Sequence, residues 1–163
     1  MADYGLEAYN WIVQHASAIH ALMVGYGARV YNSANQSIAN VTWTTVSFNS
    51  ERYDTDAIHD TVTNNSRLTC VTAGKYIIIF SGMFAGNATG SRGAAIRLNG
   101  TTTIANITVA KGQSDEAKWS LSTIYDLAVA DYVEARVYQS SGGNLNLTVE
   151  SNNSIEFMMQ RIG

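Results

Sequence analysis

The stretch Lys75-Tyr76-Ile77-Ile78-Ile79-Phe80-Ser81-Gly82-Met83-Phe84 decides the fold. It is rich in β-branched and aromatic residues, and it reads as a strand. Side chains of a strand point alternately to its two faces, so Tyr76, Ile78 and Phe80 share one face while Ile77, Ile79 and Met83 share the other. A half-buried strand would be polar on one side, and this one is apolar on both. One face fills a sandwich core; the other needs a cover, supplied by an N-terminal helix or by another subunit.

On both sides of this strand, from Ala28 to the end, Thr, Val, Ile, Tyr, Asn and Gly recur in short alternating runs. Strands are expected at residues 29–32, 41–48, 67–71, 75–84, 94–98, 102–109, 119–127, 132–139, 145–150 and 155–162. Turn-forming pairs and clusters separate them, among them Ala73-Gly74, Asn99-Gly100 and Ser141-Gly142-Gly143-Asn144. Trp119, Leu121, Thr123, Tyr125 and Leu127 alternate with Ser120, Ser122 and Asp126, and Leu145, Leu147 and Val149 with Asn144, Asn146 and Thr148. In the last strand Ile155, Phe157 and Met159 take one side and Met158 the other. Ten short strands at this spacing predict an all-β, ten-stranded jelly-roll sandwich.

Residues 4–23 have a different texture. Apolar positions return at helical spacing, giving a broad stripe that includes Leu6, Ile12, Ile19, Leu22 and Met23, and Gly25 and Gly27 end it. We therefore expect a short N-terminal helix, with residues 1–27 forming an arm or anchor and 28–163 the jelly-roll domain. Glu7, Asn10, Gln14, His15, Ser17 and His20 interrupt the stripe too often for a membrane span.

Composition narrows the function. The 163 residues carry 46% hydrophobic and 14% charged side chains with no Pro, which excludes a disordered chain. A net charge of −3 leaves no basic footprint for nucleic acid. The single Cys70 allows neither an intrachain disulfide framework nor a Cys-based zinc site; it shares a face with Leu68 and reads as a small buried hydrophobe. No Lys or Arg precedes Arg29, so the basic start of a secretory signal is missing, and the expectation is a chain made and kept in a cytosol, or released by lysis.

Several segments occur in order along the chain: Trp43 with Phe48-Asn49-Ser50-Glu51 and Tyr53-Asp54, Ala73-Gly74-Lys75-Tyr76, Arg92 with Ile96-Arg97-Leu98-Asn99-Gly100, Leu127-Ala128-Val129-Ala130-Asp131-Tyr132-Val133-Glu134, and Phe157. Together they resemble the C1q/TNF-like jelly-roll family. The match spans about residues 28–163 and is similar to forms found in bacteria and their phages. Ala130 departs from the pattern, since the family usually has Gly there, and a slightly different backbone is expected at that turn. The resemblance implies a tight homotrimer about the sheet that holds the first, third and last strands. It implies binding and display, and no catalysis. Tyr31, Ile77, Ile79, Met83 and Met158 are then the expected trimer-interface residues.

Other constellations were weighed for chemistry. Glu51, Asp54, Asp56 and Asp60, beside His59, could offer oxygen ligands to a hard cation such as Ca²⁺, although a solvated loop whose carboxylates cap their own turns is the commoner arrangement. No other cofactor is expected. His15 and His20 are five apart and fall on different sides of a helix, and no Gly-x-Ser-x-Gly occurs. The glycines at 86–93 join strand to strand with no helix behind them, which leaves a phosphate cradle unsupported. The expectation is a non-enzymatic bacteriophage virion protein: a homotrimeric knob that decorates the capsid or forms a small head or tail fibre, attached to other virion proteins by its N-terminal segment. The alternative is a carbohydrate-binding adhesin module meeting a host surface glycan through aromatics among Tyr26, Tyr31, Trp43, Tyr53 and Tyr138.

Overall fold

The computed structural model describes residues 5, 7–12, 15–16, 25–109 and 115–163. The first of these groups is helical. Of the expected anchor residues, Leu6, Ile19, Leu22 and Met23 lie outside the described set.

Among the described residues twelve strands follow: β1 (Gly27–Tyr31), β2 (Gln36–Ile38), β3 (Thr44–Thr45), β4 (Ser50–Asp54), β5 (Arg67–Thr69), β6 (Gly74–Phe84), β7 (Arg92–Leu98), β8 (Thr102–Val109), β9 (Ala117–Leu127), β10 (Tyr132–Gln139), β11 (Leu145–Leu147) and β12 (Glu156–Arg161). They form two antiparallel sheets packed as a jelly roll. In the larger sheet β6 is the spine. It pairs with β9 from Gly74↔Leu127 to Phe84↔Ala117, and its other edge takes β12 and, at Phe84, β11. β1 and then β4 extend the sheet beyond β12 to one edge, and β2 closes it beyond β11. The smaller sheet runs β3-β10-β7-β8, with β5 also on β10.

The alternation read in the sequence governs the packing. Tyr76, Ile78 and Phe80 are fully buried, as are Phe157 and Met159 on the paired strand, while Ile77, Ile79 and Met158 face outward and are half-buried. Phe80 and Phe157 meet edge to face at 6.0 Å, and Phe157 stacks on Phe48 at 5.6 Å, which ties the paired β6 and β12 to the segment leading into β4. Val133, Ala135 and Val137 of β10 and Ala94 and Ile96 of β7 complete the core from the smaller sheet. Cys70 is buried with Leu68, its thiol directed at the Thr72 carbonyl (3.3 Å), and burial pushes its pKa up.

Two strands were not anticipated. β2 is three residues long and mostly polar, and β4 is a charged edge strand inside the segment expected to be a loop. Conversely, the strand expected over 41–48 has a ladder only at Thr44–Thr45; Val41 adopts φ 55°, which takes the start of the segment out of extended geometry. Arg92, almost wholly buried, explains the adjoining glycine-rich loop. Its guanidinium donates to the carbonyls of Thr89 (3.0 Å), Ser91 (3.0 Å) and Asn87 (3.1 Å), so the 87–91 segment is folded around a cation of its own chain.

At the β9–β10 turn the backbone keeps the glycine-type conformation that Ala130 was expected to disturb: Ala130 has φ 71°. Neighbouring hydrogen bonds hold it there. Asp131 accepts from Asn99 Nδ2 (2.8 Å) and from the Ala128 N–H (2.9 Å), and these bonds keep its carboxyl below the ordinary carboxylate value. Their stabilisation is complete above that ordinary value and is lost as the pH falls through the lowered one. A left-handed L-residue costs about 1–2 kcal/mol, partly offset by the greater chain entropy of Gly. Ala130→Gly is therefore expected to raise the unfolding free energy by about 0.5–1 kcal/mol, read as a higher urea midpoint at unchanged slope.

Candidate functional site: the outer face of the larger sheet

Strand register sets the outward side chains of β9, β6, β12 and β1 in rows. Ile124, Ile77 and Gln160 form one row; Ser122, Ile79, Met158 and Arg29 the next; Ser120, Ser81, Glu156 and Tyr31 a third. The apolar part of the face is thus compact: Ile77, Ile79 and Met158 half-buried, with Ile124 at their border 60% exposed. Ile124 was missed in the sequence because it stands among the polar outward residues of β9; only its pairing opposite Ile77 shows that it extends the patch.

The third row is held by charge. Glu156, 1% exposed, lies between two arginines: it is ion-paired to Arg29 Nε, and Arg52 reaches its Oε1 with Nη2 (3.0 Å) and Nε (3.2 Å). Each arginine also donates to the loop before β12, Arg29 to the Asn152 carbonyl (2.8 Å) and Arg52 to that of Ser151 (3.1 Å). The Arg52 guanidinium lies 4.0 Å over the Tyr31 ring, so the expected interface residue Tyr31 is partly covered by its own chain. Met83 differs from its sequence assignment in the same way. It points outward by strand parity, yet it is only 4% exposed, lining a pocket with Lys118, Glu150 and Asn153. The β11–β12 loop reaches it, with Thr148 donating to the Met83 carbonyl from both its N–H (2.8 Å) and its hydroxyl (3.1 Å). Met83 therefore has little surface left to offer a second subunit.

The expected cation ligands are not brought together as one set. Asp54 accepts the backbone N–H groups of Asp56 (3.1 Å), Ile58 (3.0 Å) and His59 (2.9 Å), and Asp60 those of Val62 (2.8 Å) and Thr63 (2.9 Å). Those bonds lower the Asp60 pKa, Thr63 contributing most. Glu51 faces His59 Nδ1 at 2.9 Å, and the fully buried ring of His59 also contacts the Asn65 carbonyl at 3.2 Å. Among the described residues no three His, Cys, Asp or Glu side chains converge on a metal position. Carboxylates spent on capping their own turn are the physical reason.

Of the expected anchor, Ile12 is described and is 55% exposed, beside Tyr9 at 65% and Trp11 at 56%. Of the aromatics considered for sugar stacking, Trp43 and Tyr53 are each 42% exposed, and Tyr26, Tyr31 and Tyr138 are half-buried.

This architecture is the C1q/TNF-like jelly roll. Solved structures similar to the chain include murine APRIL (TM-score 0.66, 9% identity, covering 85% of this chain and 99% of that one). The globular domain of zebrafish complement 1qA protein is similar too (0.61, 14%, 85% and 98%), as is Eiger TNF from S. frugiperda (0.59, 9%, 85% and 93%). No protein-family model matches the chain, and no curated protein matches it.

Glu156→Ala would leave two guanidiniums facing each other with no counter-charge. Breaking a buried pair costs about 3–5 kcal/mol, and exposure of both arginines by about a third reduces this to roughly 2–3 kcal/mol. Urea unfolding at fixed protein concentration should show that loss, and an unchanged midpoint would mean that Glu156 contributes nothing net.

Proposed function

We propose that the chain is a homotrimeric knob of a bacteriophage virion, with subunits joined through the outer face of the larger sheet and residues 1–27 as the attachment arm. The observation that carries the reading is the patch of Ile77, Ile79, Ile124 and Met158 on a sheet whose opposite face already fills the core. Fully burying such a side chain stabilises by about 1.5–3 kcal/mol, and a closed threefold contact repeats that gain in every subunit. The trimer implied by the C1q/TNF-like resemblance uses this same sheet. The exposed Tyr9, Trp11 and Ile12 suit an arm that docks on a larger apolar surface, a capsid or fibre neighbour. The reading includes no catalytic step. A second reading, a carbohydrate-binding module, is favoured by the exposed ring of Trp43 on the smaller sheet.

Light scattering should report three copies of the 17.7 kDa chain, about 53 kDa. Ile79→Asp should yield monomer or aggregate, because a carboxylate from each subunit would be buried near one axis without a partner. A wild-type mass of one chain would overturn the trimer. Deleting the residues before Gly25 should leave a soluble trimer that no longer binds particles, and retained binding would overturn the anchor.

A further inference from the structure

The outer face of the smaller sheet carries a cleft of about 300 Å³, at the lower end of the range for small-molecule sites. Its floor is Ala95 on β7. The next residue on the same face of that strand is Gly93, where a Cβ would come within 3.1 Å of the Trp43 ring; the missing side chain lets the indole lie down against the sheet, 5.6 Å from Tyr138. Trp43 nonetheless keeps 42% of its surface open, and it forms one wall.

Two arginines flank the floor. Arg97 donates to the Thr101 carbonyl (3.1 Å) and Arg136 to that of Trp43 (2.8 Å), bonds that fix both side chains but add no negative charge. Neither has a carboxylate within ion-pair distance among the described residues, in contrast to Arg29, Arg52 and Arg67. The nearest candidate, Glu134, stands opposite Arg97 in register but gives its Oε1 to Arg67 Nε and to the Ser66 hydroxyl (both 3.3 Å). The Arg136 Nε is buried with no hydrogen-bond partner. Burial, and then the Arg97 charge, pull the Arg136 pKa below the ordinary guanidinium value. In a chain of net charge −3, two unmatched guanidiniums at one concave place are an unspent charge.

We propose that this cleft binds a carboxylate-bearing sugar unit, with Arg97 and Arg136 taking the carboxylate and the Trp43 ring stacking on the apolar face of the pyranose. A planar guanidinium matches a carboxylate in shape and donor geometry. Thr103 and Asn106, on the side facing Trp43, supply hydroxyl and amide partners for the ring hydroxyls, where an apolar ligand would need an apolar wall. The inference deepens the carbohydrate-binding reading and is independent of the trimer, since the cleft lies on the sheet that the subunit contact does not use.

The test titrates the full chain with methyl β-D-glucuronide, methyl β-D-glucoside and acetate by ligand-observed NMR. The glucuronide should bind roughly ten- to a hundredfold more tightly than the glucoside, the range expected for charge-assisted hydrogen bonds. Arg97→Gln should abolish that preference without weakening the glucoside, Trp43→Leu should weaken both sugars, and Lys118→Gln on the other sheet should change neither. Circular dichroism confirms the fold of each variant, and Arg97→Gln decides the matter if Trp43→Leu fails to fold. Equal affinity for the two glycosides overturns the acidic assignment and leaves a neutral carbohydrate module standing. Acetate as tight as the glucuronide reduces the site to a bare anion site and overturns the sugar. No binding of either glycoside overturns this proposal and the carbohydrate reading together.

Discussion

The constraint on which the molecule depends is the two-residue period of β6, imposed on a strand with apolar residues in both registers. Hydrogen bonds to β9 on one edge and to β12 and β11 on the other fix β6 so that it cannot rotate or slip. A slip by one residue would exchange Tyr76, Ile78 and Phe80 for Lys75, Ile77 and Ile79 in the core, trading two aromatic rings and an isoleucine for two isoleucines and a charge. The register that buries the rings therefore leaves the isoleucines outside. The outer patch is a by-product of the core's own preference, and it lies where the sheet is most completely paired.

Legibility in the sequence followed the length and amphipathicity of each element. Long strands with a clear period, such as β6 and β9, could be read with their inward and outward faces. β2 and β4 could not, because short polar strands owe their extended form to the neighbour they pair with. Outward assignments were legible as direction and not as exposure. Met83 points where parity puts it, but a loop from another part of the chain lies over it. The ion pairs of Glu156 join residues 104 and 127 positions apart, and no local pattern announces such a meeting. The Trp43 cleft needed a glycine and an arginine on one strand and a second arginine on its neighbour, brought beside Trp43 only by register. Ala130 shows the reverse case, in which surrounding hydrogen bonds hold the chain in a conformation that the residue itself disfavours.

The two outer faces of the sandwich distribute their charge differently. On the larger sheet Arg29 and Arg52 are answered by Glu156, and Lys118 by Glu150 at 3.1 Å, while Lys75 stands exposed at the end of the apolar row of β6. On the smaller sheet Glu134 answers Arg67 and leaves Arg97 and Arg136 unmatched. The apolar patch and the arginine-lined cleft therefore lie on opposite faces of the sandwich, about one core thickness apart.

The edge strand β4 limits how the larger sheet can be extended. An uncovered edge offers a row of backbone groups onto which another chain's strand could add without limit, and β4 ends the larger sheet on that side. Glu51, Arg52 and Tyr53 crowd that edge with two charges and a phenol, so an incoming strand would have to strip water from ionised groups to pair. Edge-to-edge addition of another chain's strand at β4 is thereby discouraged.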